Sequence, residues 1–207
     1  MPPKPKYIWL VRHAESRGNT GHECDIDPPL SPLGEDQART LHRGLGHLTF
    51  TRVYVSPLKR ARQTLELSGL PLDRVVFDSR IIEWRMEGAY EPYLPYPATP
   101  DYGAPDRHDA WRTPWSQRIA GFAREIARLE FEHILVVTHG GASIELTRAF
   151  LAGDDYAHGK TLTPLHYLHN TGIAQLRLSP DGTDCTLGIW NHTGHLGPLG
   201  TTFQSPP

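Results

Sequence analysis

Two short apolar runs, Tyr7–Val11 and Ile134–Val137, constrain this chain more than any other feature. A strand with one face in water alternates apolar and polar residues. An unbroken run this short is expected of a strand covered on both faces, as in a largely parallel sheet between layers of helices. Val53–Val55, Val75–Phe77, Ile173–Leu178 and Thr186–Trp190 read as further strands, the last two around the turn Pro180-Asp181-Gly182. Ser31-Pro32 and Ser56-Pro57 each pair an N-cap residue with a proline suited to the first helical position. Leu41, Leu45 and Leu48 continue the first of these at helical spacing. After Thr113-Pro114, the positions Trp115, Ile119, Phe122, Ile126 and Leu129 step by four and three, which predicts a helix with one apolar face. Another helix is expected from Gly140-Gly141 to about Leu151. The expected fold is a single α/β domain over residues 1–207, a three-layer α/β/α arrangement with a mostly parallel central sheet.

One stretch breaks the alternation. Ala89–Trp115 holds six prolines, four tyrosines and two tryptophans and shows almost no periodicity. A long aperiodic insertion rich in aromatics is expected to be a lid, here about residues 85–115. Composition narrows the function. With 21 basic and 23 acidic residues the formal charge is −2, without runs of one sign, so neither nucleic acid nor a membrane surface is an expected partner. The N-terminal prolines and lysines precede an apolar run of only five residues, ended by Arg12, which gives neither a signal peptide nor a membrane span. Cys24 and Cys185 form no disulfide framework. The expected location is the cytoplasm, and a homodimer is compatible with the sequence.

In open α/β sheets, ligands sit beyond the carboxyl ends of the strands. Three strand ends here carry unusual polar residues: Arg12-His13 through Asn19, Ser56 through Thr64 with Lys59, Arg60 and Arg62, and Thr138-His139-Gly140-Gly141. A parallel sheet brings all three to one rim. Guanidinium forks match phosphate oxygens and stay charged at any working pH. Imidazole can attack phosphorus and carry a phosphoryl group covalently. A helix N-terminus adds oriented N–H groups, and Gly140-Gly141 allows close backbone approach. Positioning and charge stabilisation are what phosphoryl transfer chiefly needs. Arg60 and Arg62 lie about 200° apart on a helix, so only one is expected to face the pocket.

These motifs resemble the histidine phosphatase superfamily, also called the phosphoglycerate mutase-like family. Its Arg-His-Gly-Glu-Ser-x-x-Asn is met by Arg12-His13-Ala14-Glu15-Ser16-Arg17-Gly18-Asn19, and its Leu-Ser/Thr-x-x-Gly-x-x-Gln-Ala by Leu30 through Ala38. Ser-Pro-Leu-x-Arg-Ala-x-Gln-Thr is matched in full from Ser56 to Thr64, the acidic segment by Ile82-Glu83 through Glu87-Gly88, and the second histidine by Val137 through Gly141. The resemblance implies a phosphatase in which His13 is the nucleophile. Arg12, Arg60, His139 and Asn19 would hold the phosphate, and Glu83 would protonate the leaving oxygen and then activate water. Glu87 and Glu15 are the alternative acids, Glu15 being better suited to orienting the site. The substrate would be a small phosphorylated metabolite and the product inorganic phosphate, with no cofactor and no metal. In the lid, Arg85, Tyr90, Arg107 and Arg112 are the candidate substrate contacts.

Two departures stand out. Ala14 replaces a glycine, which is tolerable if its φ is negative. The lid replaces the family's Pro-Gly-Gly-Glu-Ser segment and leaves the substrate unnamed. The competing functions are a phosphoglycerate mutase, against which the short chain and aromatic lid argue, and a non-catalytic binder of a phosphorylated ligand, which would need neither His13 nor Glu83. The pairs His166/His169 and His192/His195 have metal-compatible spacing, but no carboxylate or cysteine completes either set. They are expected off helices, on the surface or in loops.

Overall fold

The structure is a computed structural model describing residues 4–21, 27–71, 73–83, 115–158 and 164–202, with the side chains of 154, 157 and 158 not described. Six strands, β1 (Lys6–Arg12), β2 (Arg52–Val55), β3 (Val75–Phe77), β4 (His133–Thr138), β5 (Ile173–Leu178) and β6 (Cys185–His192), form one sheet in the order β3-β2-β4-β1-β5-β6. β1 to β4 are mutually parallel, β5 runs against β1, and β6 runs against β5. The sheet is therefore mostly parallel, with one reversed strand. The β5–β6 turn closes where Pro180-Asp181-Gly182 marked it, Gly182 N–H donating to Ser179 O at 2.9 Å.

The two unbroken apolar runs occupy the centre of the sheet, and the pleat sorts their residues onto opposite faces. Ile8, Leu10, Ile134 and Val136 pack in one core with Ile119, Phe122 and Ile126 of α3 (Trp115–Arg128) and Leu146 and Phe150 of α4 (Gly140–Ala152). Trp9, Val11, Leu135 and Val137 pack in the other, with Leu41 and Leu45 of α1 (Pro32–Leu45) and Ala61 and Leu65 of α2 (Lys59–Leu67). Each of the larger aliphatic and phenylalanine side chains contributes about 1.5–3 kcal/mol by leaving water. These two layers of helices on one sheet are the expected architecture.

The helix signals fared unequally. Ser31 caps α1, its Oγ accepting the Gly34 N–H at 3.0 Å, with Pro32 in the first turn. Ser56 does not cap α2. That helix starts at Lys59 behind Leu58; the Ser56 Oγ lies 2.7 Å from His139 Nε2 across the sheet rim and accepts the Leu58 N–H at 3.5 Å, ahead of the helix. Leu129 falls just beyond α3 yet still packs against the core. No helix among the described residues is long and apolar enough to cross a membrane. The lid positions Arg85, Tyr90, Arg107 and Arg112 lie outside the described residues, as do Cys24 and Glu87.

Candidate active site

Parallel pairing brings the strand ends level. Arg12 at the end of β1 pairs with Thr138 at the end of β4, and Val55 of β2 pairs with Val137. His13 N–H donates to Thr138 O at 2.8 Å and Ser56 N–H to Val137 O at 2.9 Å, so all three chains leave the sheet side by side. The His13 and His139 rings meet with centroids 5.1 Å apart and planes at 60°. Both are buried, as are Arg12 and Arg60.

The loop after His13 is held peptide by peptide. Ala14 N–H donates to Thr64 Oγ1 at 2.9 Å, Glu15 N–H to Gln37 Oε1 at 3.0 Å, and Ser16 N–H to Asn19 Oδ1 at 3.0 Å. Glu15 O accepts the Ser31 N–H at 2.9 Å, and Glu15 Oε1 accepts the Ser31 hydroxyl at 2.7 Å. Glu15 thus orients the loop. Ala14 is fully buried and is not among the positive-φ residues, so its methyl costs no backbone strain. Gly34 marks the closest approach of α1 to the loop, since a Cβ there would sit 1.9 Å from Glu15 O. Gly34→Ala is expected to destabilise the fold by about 1–3 kcal/mol and to displace the loop. A lower urea midpoint together with a reduced turnover number would show it; an unchanged urea midpoint would contradict it.

The electrostatics favour a neutral His13 amid cations. His13 Nδ1 lies 2.7 Å from Ala14 O, and a carbonyl can only accept, so Nδ1 carries the proton and Nε2 keeps its lone pair. Burial, then Arg60 and Arg12, holds His13 well below the ordinary imidazole range, the bond to Ala14 acting the other way. His139 is lowered likewise by burial, Arg60, His13 and Arg12. Its Nε2 lies 2.7 Å from Ser56 Oγ. With the hydroxyl donating, His139 Nδ1 holds a proton to offer. Burial lowers Arg12 to about 10, opposed by Glu83, and the guanidinium remains charged at neutral pH.

Stability should follow from these shifts. The unfolded chain takes up protons on these histidines near pH 6.5, whereas the folded chain resists until lower pH. Stability is therefore full above 6.5 and is lost as pH falls, at about 1.4 kcal/mol per pH unit for each histidine. The melting temperature of the ligand-free protein should drop between pH 7 and pH 5; a flat profile would contradict neutral burial.

The residues leading to Glu83 are bonded along their length. Asp78 accepts the Arg80 N–H at 3.0 Å, Arg118 donates to Ser79 O at 2.8 Å, Thr138 to Ile81 O at 2.6 Å and Trp115 Nε1 to Ile82 O at 3.1 Å. Glu83 Oε2 accepts the Gly141 N–H at 2.9 Å, which places its carboxylate at the N-terminus of α4.

Three polar atoms in this cluster are buried without a hydrogen bond: Arg12 Nε, Arg60 Nη1 and His139 Nδ1. Each such atom costs about 1–3 kcal/mol unless a ligand satisfies it. The other fork atom of Arg12, Nη1, donates to Leu168 O at 2.6 Å. Arg60 Nη1 also lies 3.7 Å from Asp27 Oδ1, which accepts the Lys59 N–H. Arg62 turns away and stacks over Phe77 at 5.6 Å, a structural role. Asn19 Oδ1 is committed to Ser16 and, at 3.4 Å, to Asn170 Nδ2, so its amide donor is the end an anion would meet.

The site also contains residues the strand-end rule did not select. Tyr167 packs where a Gly140 Cβ would stand, 2.6 Å from that position. Asn170 Nδ2 donates to His13 O at 3.0 Å. β5 is antiparallel, so its beginning, not its end, lies on the rim, and a polar Asn-Thr-Gly corner ahead of the β5 run was the available signal. The histidine pairs are corrected in one respect. His195 is buried on a 3₁₀ turn, its Nε2 3.2 Å from Thr171 Oγ1, rather than on the surface. His166 and His192 are exposed. Among the described residues, no group of three or more histidine, cysteine or acidic side chains is placed to hold a metal.

The family model of the histidine phosphatase superfamily, branch 1, matches residues 8–191. The chain belongs to the histidine phosphatase superfamily. It is 29% identical over 168 residues to the adenosylcobalamin/alpha-ribazole phosphatase of Salmonella typhi, covering 70% of this chain and 79% of that protein. Among solved structures, Bacillus stearothermophilus YhfR aligns with a TM-score of 0.65 at 24% identity, over 92% of this chain and 99% of the other. Mycobacterial glucosyl-3-phosphoglycerate phosphatase aligns with a TM-score of 0.63 at 21% identity, over 92% and 100%. At these identities the two structures establish the fold. Family membership and the named relatives make this histidine phosphatase a phosphoric monoester hydrolase.

Proposed function

We propose that the protein hydrolyses phosphate monoesters of small metabolites by passing the phosphoryl group through His13, with no metal ion taking part. His13 Nε2 attacks phosphorus while the bond to the ester oxygen breaks, and Glu83 gives that oxygen a proton. The alcohol departs, leaving phosphohistidine. Water then attacks phosphorus, Glu83 takes the proton, and the P–N bond breaks to restore neutral His13 and inorganic phosphate. Arg12, Arg60, His139 and Asn19 hold the non-bridging oxygens throughout, supplying the positive charge that a metal supplies in other phosphatases. Arg85, Tyr90, Arg107 and Arg112 are assigned to the substrate's organic part, and the enzyme to the cytoplasm.

The observation that carries this reading is three buried atoms without hydrogen bonds, Arg12 Nε, Arg60 Nη1 and His139 Nδ1, on the residues that surround a histidine with a free Nε2 lone pair. The direct test is phosphate release from a panel of sugar phosphates, phosphoglycerates, phosphoserine and nucleoside monophosphates, with and without EDTA. Release from some members, undiminished by EDTA, is expected. Loss in EDTA that a divalent ion restores would refute the metal-free mechanism, and silence across the panel would refute the substrate class.

A further inference from the structure

The segment after β6 reaches back to the active site through one continuous set of hydrogen bonds. Gln37 Oε1 accepts the Glu15 N–H at 3.0 Å, and Gln37 Nε2 donates to Thr202 Oγ1 at 2.9 Å. Thr202 Oγ1 donates in turn to Asn170 Oδ1 at 3.2 Å, while Asn170 N–H donates to Thr202 O at 3.2 Å. Asn170 Nδ2 then donates to His13 O at 3.0 Å. The series begins on the backbone of Glu15 and ends on the backbone of His13, so it closes a ring around the loop that carries the nucleophile.

The ring has no slack in its orientation. Thr202 donates to one end of the Asn170 amide and His13 O accepts from the other, so the amide has one productive orientation. Asn170 is buried, so a displaced amide would have no water to replace its partners. Its neighbour Thr171 holds φ at +57°, a conformation that a β-branched residue rarely adopts. It sustains that conformation with its N–H directed at Arg12 O, 3.1 Å, and His13 O, 3.4 Å, and its hydroxyl bonded to Asn170 O at 2.7 Å. Strain of this kind persists only where the surroundings over-determine it. Here, what it secures is the carbonyl of the residue whose ring must aim. Because His13 Nδ1 is tied to Ala14 O, a tilt of the 13–14 backbone is passed directly to Nε2.

We propose that Asn170 and Thr202 are positioning residues for the nucleophile, and that the segment after β6 completes the active site by fixing the His13 backbone. Neither residue is assigned a contact with substrate. The proposal rests on the role given to His13 above.

The test compares Thr202→Val, Thr202→Ser, Asn170→Ala and His13→Ala with the wild type, using 4-nitrophenyl phosphate in steady-state and rapid-quench measurements. Thr202→Val keeps the shape and loses the hydroxyl, and should lower kcat and the phosphorylation burst by about tenfold while KM stays within about twofold. Thr202→Ser keeps the hydroxyl and should stay within about twofold of wild type. Asn170→Ala should lose about a hundredfold in the burst, reflecting the steep dependence of rate on sub-ångström placement. Wild-type bursts in Thr202→Val, or equal losses in Thr202→Val and Thr202→Ser, would overturn the proposal. So would a rise in KM with kcat unchanged. Wild-type turnover in His13→Ala would instead overturn the underlying assignment of the nucleophile, which separates the two failures.

Discussion

His13→Ala is expected to lower phosphate release by on the order of 10⁴-fold or more, and to abolish the covalent phosphoryl-enzyme altogether. The size follows from what the side chain supplies. Without it no other group among the described residues of the sheet rim is placed to form a P–N bond, and water would have to attack the ester directly against the repulsion of a phosphate dianion. Other candidates are excluded by geometry. His139 Nε2 is tied to Ser56 Oγ, which with the hydroxyl donating leaves that ring no free lone pair, and Ser56 is fully buried. The cations would remain, and inorganic phosphate should still bind to the variant. His13→Asn provides a control that fills more of the cavity. The check is label retained from a phosphorus-labelled ester after an alkaline quench, conditions under which phosphohistidine survives. Label in the wild type and none in either variant is the expected pattern. Label retained in His13→Ala would place the intermediate elsewhere and would dissolve the assignment.

The meeting of the candidate site residues was legible before the fold because they are arranged by a rule the sequence obeys openly. Tyr7–Val11 and Ile134–Val137 are too apolar for anything but the centre of a two-faced sheet, and each is followed after one residue by a histidine. Once both strands point the same way, His13 and His139 must share a rim, and they stand with ring centroids 5.1 Å apart. The glutamines and threonine of the matched motifs were legible as motif but not as mechanism. Gln37, Gln63 and Thr64 turn out to receive backbone N–H groups from Glu15, Leu30 and Ala14. A spacing pattern cannot reveal which peptide a side chain will satisfy, because that depends on how closely α1 and α2 approach the loop.

What escaped the sequence escaped for specific reasons. Ser56-Pro57 has the composition of a helix start, yet the Ser56 side chain is directed to His139 Nε2, its oxygen meets the Leu58 N–H at 3.5 Å, and α2 begins two residues after Pro57. Asn170 and Thr202 lie on parts of the chain where no strand end was expected to contribute. The first sits at the start of a reversed strand, and the second beyond the last strand, brought to the rim by packing over α1. His195 looked like half of an exposed pair because its polarity hides its burial; its bond to Thr171 Oγ1 is a long-range contact with no local signature.

Glu83→Gln offers the sharpest separation between binding and proton transfer. Glu83 Oε2 accepts the Gly141 N–H, and the amide oxygen of glutamine can accept the same bond, so the side chain should keep its place. What disappears is the ability to carry a proton and a negative charge facing Arg12. Alkyl phosphates leave as strongly basic alkoxides and need protonation as the P–O bond breaks, so their rate of phosphohistidine formation should fall by about 10²–10⁴-fold. 4-Nitrophenyl phosphate leaves as a stabilised phenolate, so its phosphorylation burst should change by less than about tenfold. Its steady state should slow regardless, because no base remains to activate water against the phosphohistidine, and the phosphoryl-enzyme should accumulate. Loss of the carboxylate should also tighten inorganic phosphate, since Arg12 no longer faces a competing anion. Equal burst losses on alkyl and aryl esters would assign the proton to another group. Glu15 would be a poor replacement, because its carboxylate is held by the Ser31 hydroxyl and its backbone by α1. A selective loss on alkyl esters, with tighter phosphate, is the signature that only an acid positioned on the leaving oxygen would produce.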